Sequence, residues 1–369
     1  MRRFFSKNKV NAAVLCALTV CAGLASCSLM ETDRTDCPEG LYVNFVYNYN
    51  TQRADMFKDH VGYVTLYVFD ESDRLVMQRN VGNYGEDRPL ASYDYRMHFL
   101  PEELPDGTYR MMALALQKDW DEALACKGAK YRRTTLQPGD RKQQLRVVLD
   151  RDMENSDGLW PVNSAVPLDT LWHGTMLGAS EVKVRADSVS YVTISMVRDT
   201  KTLNVTIRDI DKPADPRVED YALTITAPNG RLDCDNNVLP DDTLLYTPYS
   251  SWTTVFPDNA ADDDPHLQRT AHYDINFNRL MFDGHEDEFA TMKLVNLKNG
   301  KVIGEFNLAR LLAEARTAFE LQHYSRQEYL DREYDYRMDF LLKGDRWCYI
   351  YITIGVLAWE LRIENKELG

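Results

Sequence analysis

The 369-residue chain has no G-x-S-x-G nucleophile elbow, no H-E-x-x-H pair, no P-loop and no G-x-G-x-x-G ahead of a helix. Each absence excludes a mechanism that needs that spacing, whether a strained serine turn, two zinc ligands on one helix face or a backbone cradle for phosphate. The seven histidines, at 60, 98, 173, 266, 272, 285 and 323, are scattered, and His266 and His272 lie six apart with no third ligand nearby. Positive charge is short as well, with 43 Lys and Arg against 57 Asp and Glu and a formal net charge of −14. That balance argues against nucleic acid and anionic membrane surfaces as electrostatic partners. Together these absences predict a non-enzymatic protein with no cofactor and no metal site.

What is present begins at the N-terminus. Arg2, Arg3, Lys7 and Lys9 precede the apolar run Ala12–Ala22, which is followed by the small residues Leu24-Ala25-Ser26. This is the three-part layout of an export signal. The run is too short to cross about 30 Å of hydrocarbon as a helix. The tetrad L-A-S-C resembles the bacterial lipobox, which predicts cleavage after residue 26 and lipid on Cys27, with palmitate among the acyl chains. Two or more acyl chains give stable anchoring where one does not. Removing residues 1–26 takes the net charge from −14 to −18. The polar stretch 27–39 then reads as a tether.

Four cysteines remain, Cys37, Cys126, Cys234 and Cys348. None has C-x-x-C or Cys/His zinc spacing. Exported proteins can hold disulfides, and four cysteines allow three pairings among which sequence does not choose. Cys37 with Cys126 is one of them. Burial as small apolar residues is the alternative for Cys126 and Cys348.

The body reads as β structure. "GLYVNFVYNYN" places Leu41, Val43, Phe45, Tyr47 and Tyr49 on one side of a period-two strand. "HVGYVTLYVFD" is apolar on both faces, as a central strand is. "PDGTYRMMALALQ", "KQQLRVVLD" and "SVSYVTISMVRD" continue the series. A second series starts near Asp199 with "TKTLNVTIRDI" and runs through "YALTITAPNGR" and "HYDINFNRLMF". In "KLVNLKNGKVIGEF" the Asn299-Gly300 pair predicts a type I′ hairpin, since both residues accept φ > 0. "NLARLLAEARTAF" predicts a helix with Leu308, Leu311, Leu312, Ala315 and Phe319 on one stripe. The end of the chain predicts two or three more strands. Short strands separated by turn signals suggest a sandwich or barrel, in two domains over 40–199 and 200–369.

The acidic runs 258–265 and 283–288 carry oxygen ligands of the kind calcium prefers. Neither has EF-hand spacing, and both read as solvated loops, with calcium the weaker alternative. Tyr47, Tyr63, Tyr67 and Tyr191 fall on strand patterns and read as packing residues.

In order along the chain, the lipobox, the polar tether, "CPEGLYVNFVYNYNTQRADMFKDHVGYVTLYVFDESDRLV", "LPDGTYRMMALA", "LWHG" (171–174), "SYVTISMVRDTKTLNVTIRDI", "FNLARLLAEA", "YLDREYDYRMDFLLK" and "YIYITIGVLAWELRIENKEL" strongly resemble the FimB/Mfa2 family, the fimbrial anchor lipoproteins of Bacteroidales. The resemblance covers nearly all of the mature chain. It implies a mainly β fold of two tandem transthyretin-like β-sandwich domains, with a short helix in the second. It also implies an outer-membrane protein that holds a fimbrial shaft to the cell and ends its growth. The partner would be a fimbrillin-type shaft subunit, joined by β-strand addition. The last strand, with Trp359, Leu361 and Ile363, is the expected contact, and a surface lipoprotein of the same fold that binds glycan is the alternative.

Overall fold

The computed structural model describes residues 39–364 apart from 84–88, 93, 283–289, 345 and 355–358. The chain up to residue 198 forms β1 (Gly40–Val46), β2 (Tyr63–Asp70), β3 (Leu75–Gly82), β4 (Arg96–Phe99), β5 (Gly107–Leu116), β6 (Tyr131–Arg133), β7 (Arg146–Leu149), β8 (Trp160–Pro161), β9 (Trp172–Met176), β10 (Val182–Val184) and β11 (Val189–Arg198). After two residues follow β12 (Lys201–Asp209), β13 (Tyr221–Ala227), β14 (Arg231–Asp233), β15 (Leu244–Tyr246), β16 (Ser250–Phe256), β17 (Gln268–Phe277), β18 (Thr291–Asn296), β19 (Lys301–Asn307), β20 (Asp335–Leu342), β21 (Trp347–Ile354) and β22 (Trp359–Glu364). Helices are few and short, so the chain is mainly β.

The first sheet runs β3-β2-β5-β9-β11-β1-β4, with β10 added to β5. β2 sits between β3 and β5 and is buried on both faces, as its unbroken apolar sequence requires. In β1 the alternation holds, with Leu41, Val43 and Phe45 buried and Tyr42, Asn44 and Val46 half-buried. The sheet curls until one side chain links its two ends. Arg79 on β3 donates to the His98 carbonyl on β4 (2.8 Å) and to Glu103 (2.6 Å), and lies 3.9 Å over the ring of Phe99, the last residue of β4.

After Arg198 the chain changes sheet. A six-stranded sheet runs β16-β17-β12-β20-β21-β22 and a five-stranded one β19-β18-β13-β15-β8. Their inward residues, among them Leu203, Val205, Ile275 and Phe340 on one and Leu223, Ile225, Met292 and Leu294 on the other, share one core. That core does not stop at residue 200. β7 pairs with β14 and β8 with β15, and Tyr67, Phe69, Met112 and Leu114 belong to the same cluster.

Two local expectations need correction. The β18–β19 hairpin forms, but Asn296 pairs with Lys301 across a four-residue loop, and only Gly300 is left-handed (φ +69°). The Asn296 carboxamide accepts from Lys298 N, and Leu297 N donates to the Asp220 carbonyl, which favours the longer loop over a two-residue I′ turn. The single long helix does not form either. Leu308–Ala313 ends, and Thr317 starts a new helix, Ala318–His323, through a capping box with Glu320. A third helix, Arg326–Arg332, begins at the Ser325 cap. Leu308, Leu311, Leu312 and Ala315 are buried as expected, whereas Phe319 faces outward.

Candidate functional site

Cys27 and Cys37 lie outside the described residues. Cys126 is exposed after the helix Trp120–Ala125, with its Sγ 3.3 Å from Lys118 Nζ, and opens onto a cavity of about 430 Å³. The thiol beside Lys118 holds that ammonium's pKa up. Cys126 lies beyond the Leu116 end of β5, while the register places Gly40 level with the opposite, Gly107 end. The expected Cys37–Cys126 pair involves a residue outside the described ones. Cys234 is buried, and burial pushes its thiol up to about 11. Trp359, Leu361 and Ile363 lie on β22, at one edge of the six-stranded sheet, opposite Ile354, Ile352 and Ile350 of β21.

The most elaborate constellation is β1 and the junction behind it. β1 is not an edge. It runs parallel to β11, from Gly40 opposite Val189 to Val46 opposite Ser195, and antiparallel to β4 from Leu41 opposite Phe99 to Asn44 opposite Arg96. Burying Leu41, Val43 and Phe45 stabilises its seat by about 1.5–3 kcal/mol per side chain. On the outer face Tyr42 stacks between His98 (4.2 Å) and Tyr191 (5.5 Å), its direct partners on β4 and β11. Tyr191 is thus 57% exposed rather than core. Tyr47 is fully buried past the end of β1, with its ring edge on Trp172.

The turn after β1 grips the other half of the molecule. Asn50 is buried and donates to the Tyr47 and Ala54 carbonyls, which fixes the turn. Thr51 Oγ1 donates to Glu333 (2.8 Å) and Gln52 Nε2 to Tyr334 (3.3 Å). Arg53 lies 3.9 Å over Phe319, and Arg332 lies 3.9 Å over Tyr49.

Behind this turn a buried polar network fills the sheet change. Lys201 Nζ donates to the Asp331 (2.9 Å) and Glu333 (2.8 Å) carbonyls, and burial brings its pKa down to about 8. Arg279 clamps Asp331 with two hydrogen bonds and also reaches the Asn236 carbonyl. Burial pushes the Glu333 carboxyl up and the Arg198 guanidinium down. His173 Nδ1 lies 2.6 Å from Asp199, which also accepts from Asn236. This is the geometry of an oriented histidine, but both groups are sealed from solvent, which closes the pair to any substrate. Sequence reading missed this network because its members are scattered over 160 residues, and the quoted motifs that contain them were read for strand pattern and order, which does not show that they meet.

Among the described residues no cluster of His, Cys, Asp or Glu could hold a metal. In the 258–265 loop Asp262 pairs with Arg269 and Arg217, and Asp264 accepts from His266 N. The run 283–288 lies outside the described residues.

Comparison with known proteins decides the family. The model of the fimbrillin-A associated anchor proteins Mfa1 and Mfa2 matches residues 34–365. The chain belongs to the Mfa2 anchor family. The minor fimbrium anchoring subunit Mfa2 of Porphyromonas gingivalis is 26% identical over 227 residues, 61% of each chain. The chain thus matches about three fifths of that relative's length. Among solved structures, a candidate polysaccharide-binding protein of Bacteroides thetaiotaomicron is 29% identical, with a TM-score of 0.67 over 89% of this chain and 99% of its own. A candidate adhesin from the same organism is 25% identical, with a TM-score of 0.68 over 90% of this chain and all of its own.

Proposed function

We propose that this member of the Mfa2 family is a non-catalytic lipoprotein of the outer membrane that holds the base of a fimbrial shaft and ends its assembly. Lipid on Cys27 would supply the membrane attachment, and the tether to residue 39 the link to the fold. The observation that carries the terminating role is β1. Its groove between β11 and β4 is filled by the chain's own strand, with Leu41, Val43 and Phe45 at 0–3% exposure. A filled groove leaves an incoming strand neither backbone partners nor pockets. A fimbrillin-type shaft subunit would instead meet the C-terminal half by strand addition, with Trp359, Leu361 and Ile363 on the edge strand β22 as the contact. Two transthyretin-like sandwiches over 40–199 and 200–369 fit the change of sheet after Arg198.

Replacing Cys27 with Ala tests the anchor, with fimbriae released into the medium as the expected result. Unchanged retention on the cell would sink the proposal. Deleting residues 360–369 tests the shaft contact; cell-bound fimbriae of normal length would rule β22 out.

A second reading is favoured by one feature. On β16, the other edge of the six-stranded sheet, Trp252 is 42% exposed and lies parallel to His272 at 4.9 Å, with Phe256 exposed further along the strand. An aromatic face beside the hydroxyl of Thr254, which bonds His272 (2.8 Å), suits a sugar ring. Calorimetry with surface polysaccharides on the native chain and on Trp252→Ala separates the readings, since glycan binding requires heat that the variant loses.

A further inference from the structure

We infer that β1 and the turn after it form a shear clamp, a link that carries tension between the membrane-side end of the chain and its C-terminal half. The inference rests on the anchoring role above, because it takes tension to enter ahead of Gly40 and to leave through the C-terminal half.

The topology singles out this path. Among the described strands, the only parallel pairings longer than two residues are β1 with β11 and β12 with β20. The first runs from Gly40 opposite Val189 to Val46 opposite Ser195, the second from Thr202 opposite Asp335 to Asp209 opposite Leu342. Only Asp199 and Thr200 separate β11 from β12. Pulling Gly40 backward and Arg198 forward slides two parallel strands past each other, so every hydrogen bond between them is loaded at once. Pulling two strands apart from the same end loads one bond pair at a time and needs much less force. Resistance to forced unfolding is set by the unfolding barrier rather than by equilibrium stability, and the loading direction selects that barrier.

The side chains reinforce the same strand on every side. β4 pairs its second edge, Leu41, Val43 and Phe45 fill the core beneath it, and the His98–Tyr42–Tyr191 stack crosses above it. Aromatic pairs of this kind add about 0.5–1.5 kcal/mol each beyond area burial. Past Val46 the turn is hooked to the far half through Thr51–Glu333, Gln52–Tyr334 and Arg53–Phe319. β20 starts beside these partners, so the second parallel pair takes the load directly.

The test is single-molecule pulling on the full chain in two directions. One holds the N- and C-termini; the other holds the N-terminus and a handle at Asp187, exposed in the turn before β11 and level with Gly40. End-to-end rupture should need several-fold more force than N-terminus-to-187 rupture. Tyr42→Ala and Asn44→Pro should both lower the end-to-end force, whereas Thr254→Pro on the edge strand β16 should leave it unchanged. Equal forces in the two directions overturn the clamp, as does an end-to-end force that neither β1 variant lowers. Should circular dichroism show that Asn44→Pro does not fold, Tyr42→Ala and the two directions still decide. None of these measurements involves the lipid, so a clamp without an anchoring role, or the reverse, would show as a split between this result and the Cys27→Ala result.

Discussion

Lys201 is the clearest case in which a single residue carries a measurable signature of the fold. It is a lysine in a strand that the sequence would place in water, yet it is 1% exposed at the sheet change. Burial lowers its pKa from 10.5 to about 8, so between those values the unfolded chain holds a proton that the folded chain has released. Stability therefore rises with pH from about 8. Tyr47, Tyr246 and Tyr336 act in the opposite sense above pH 10, because burial raises their pKa values and the unfolded tyrosines ionise first. Urea midpoints should climb from about pH 8, level off past pH 9, where the Cys234 thiol held up by burial acts in the same sense as the tyrosines, and fall beyond pH 10; Lys201→Met should flatten the climb. Gly40 makes a second prediction. It has φ +80°, and a Cβ there would overlap the Phe99 carbonyl oxygen. Gly40→Ala should cost about 1–3 kcal/mol, seen as a lower urea midpoint with an unchanged m-value.

At the scale of elements, the strands were the legible part. β1, β2, β5, β11 and β12 lie where alternation or unbroken apolar runs placed them, because side-chain period and burial are both local facts. The helical region was legible only in its buried stripe. The capping box at Thr317 competes with helix continuation, and a stripe count does not weigh that competition. Thr317→Ala removes the acceptor for Glu320 N and should cost about 1 kcal/mol, measured by thermal unfolding. The same change should loosen the Arg53–Phe319 contact, because Phe319 lies in the first turn of that helix.

For the whole molecule, residues 131–161 decide how the chain behaves. They leave the first sheet and pair with β14 and β15, so the core on the outer side of β2 and β5 is completed by the C-terminal half. A fragment ending at residue 199 would expose Tyr131, Val147 and Leu149, all buried in the intact chain. It should bind a hydrophobic dye and precipitate on heating, whereas the full chain should unfold in one cooperative step by calorimetry. A soluble fragment that unfolds sharply on its own would count against this. β11 and β12, on either side of residue 199, lie in different sheets, and the β7–β14 and β8–β15 pairings join the two parts of the chain.

By itself the sequence determined the mainly β character, the positions of most strands and, through an ordered set of motifs, the family. Those features are local in the chain or shared in order with relatives. The tertiary structure alone decided that β1 pairs in parallel with β11, that Lys201, Arg279 and Glu333 meet in a buried network, and that Tyr191 faces outward in a stack. Each of these depends on strands far apart in sequence coming into register, and register follows from the global burial of one face, which no single stretch encodes.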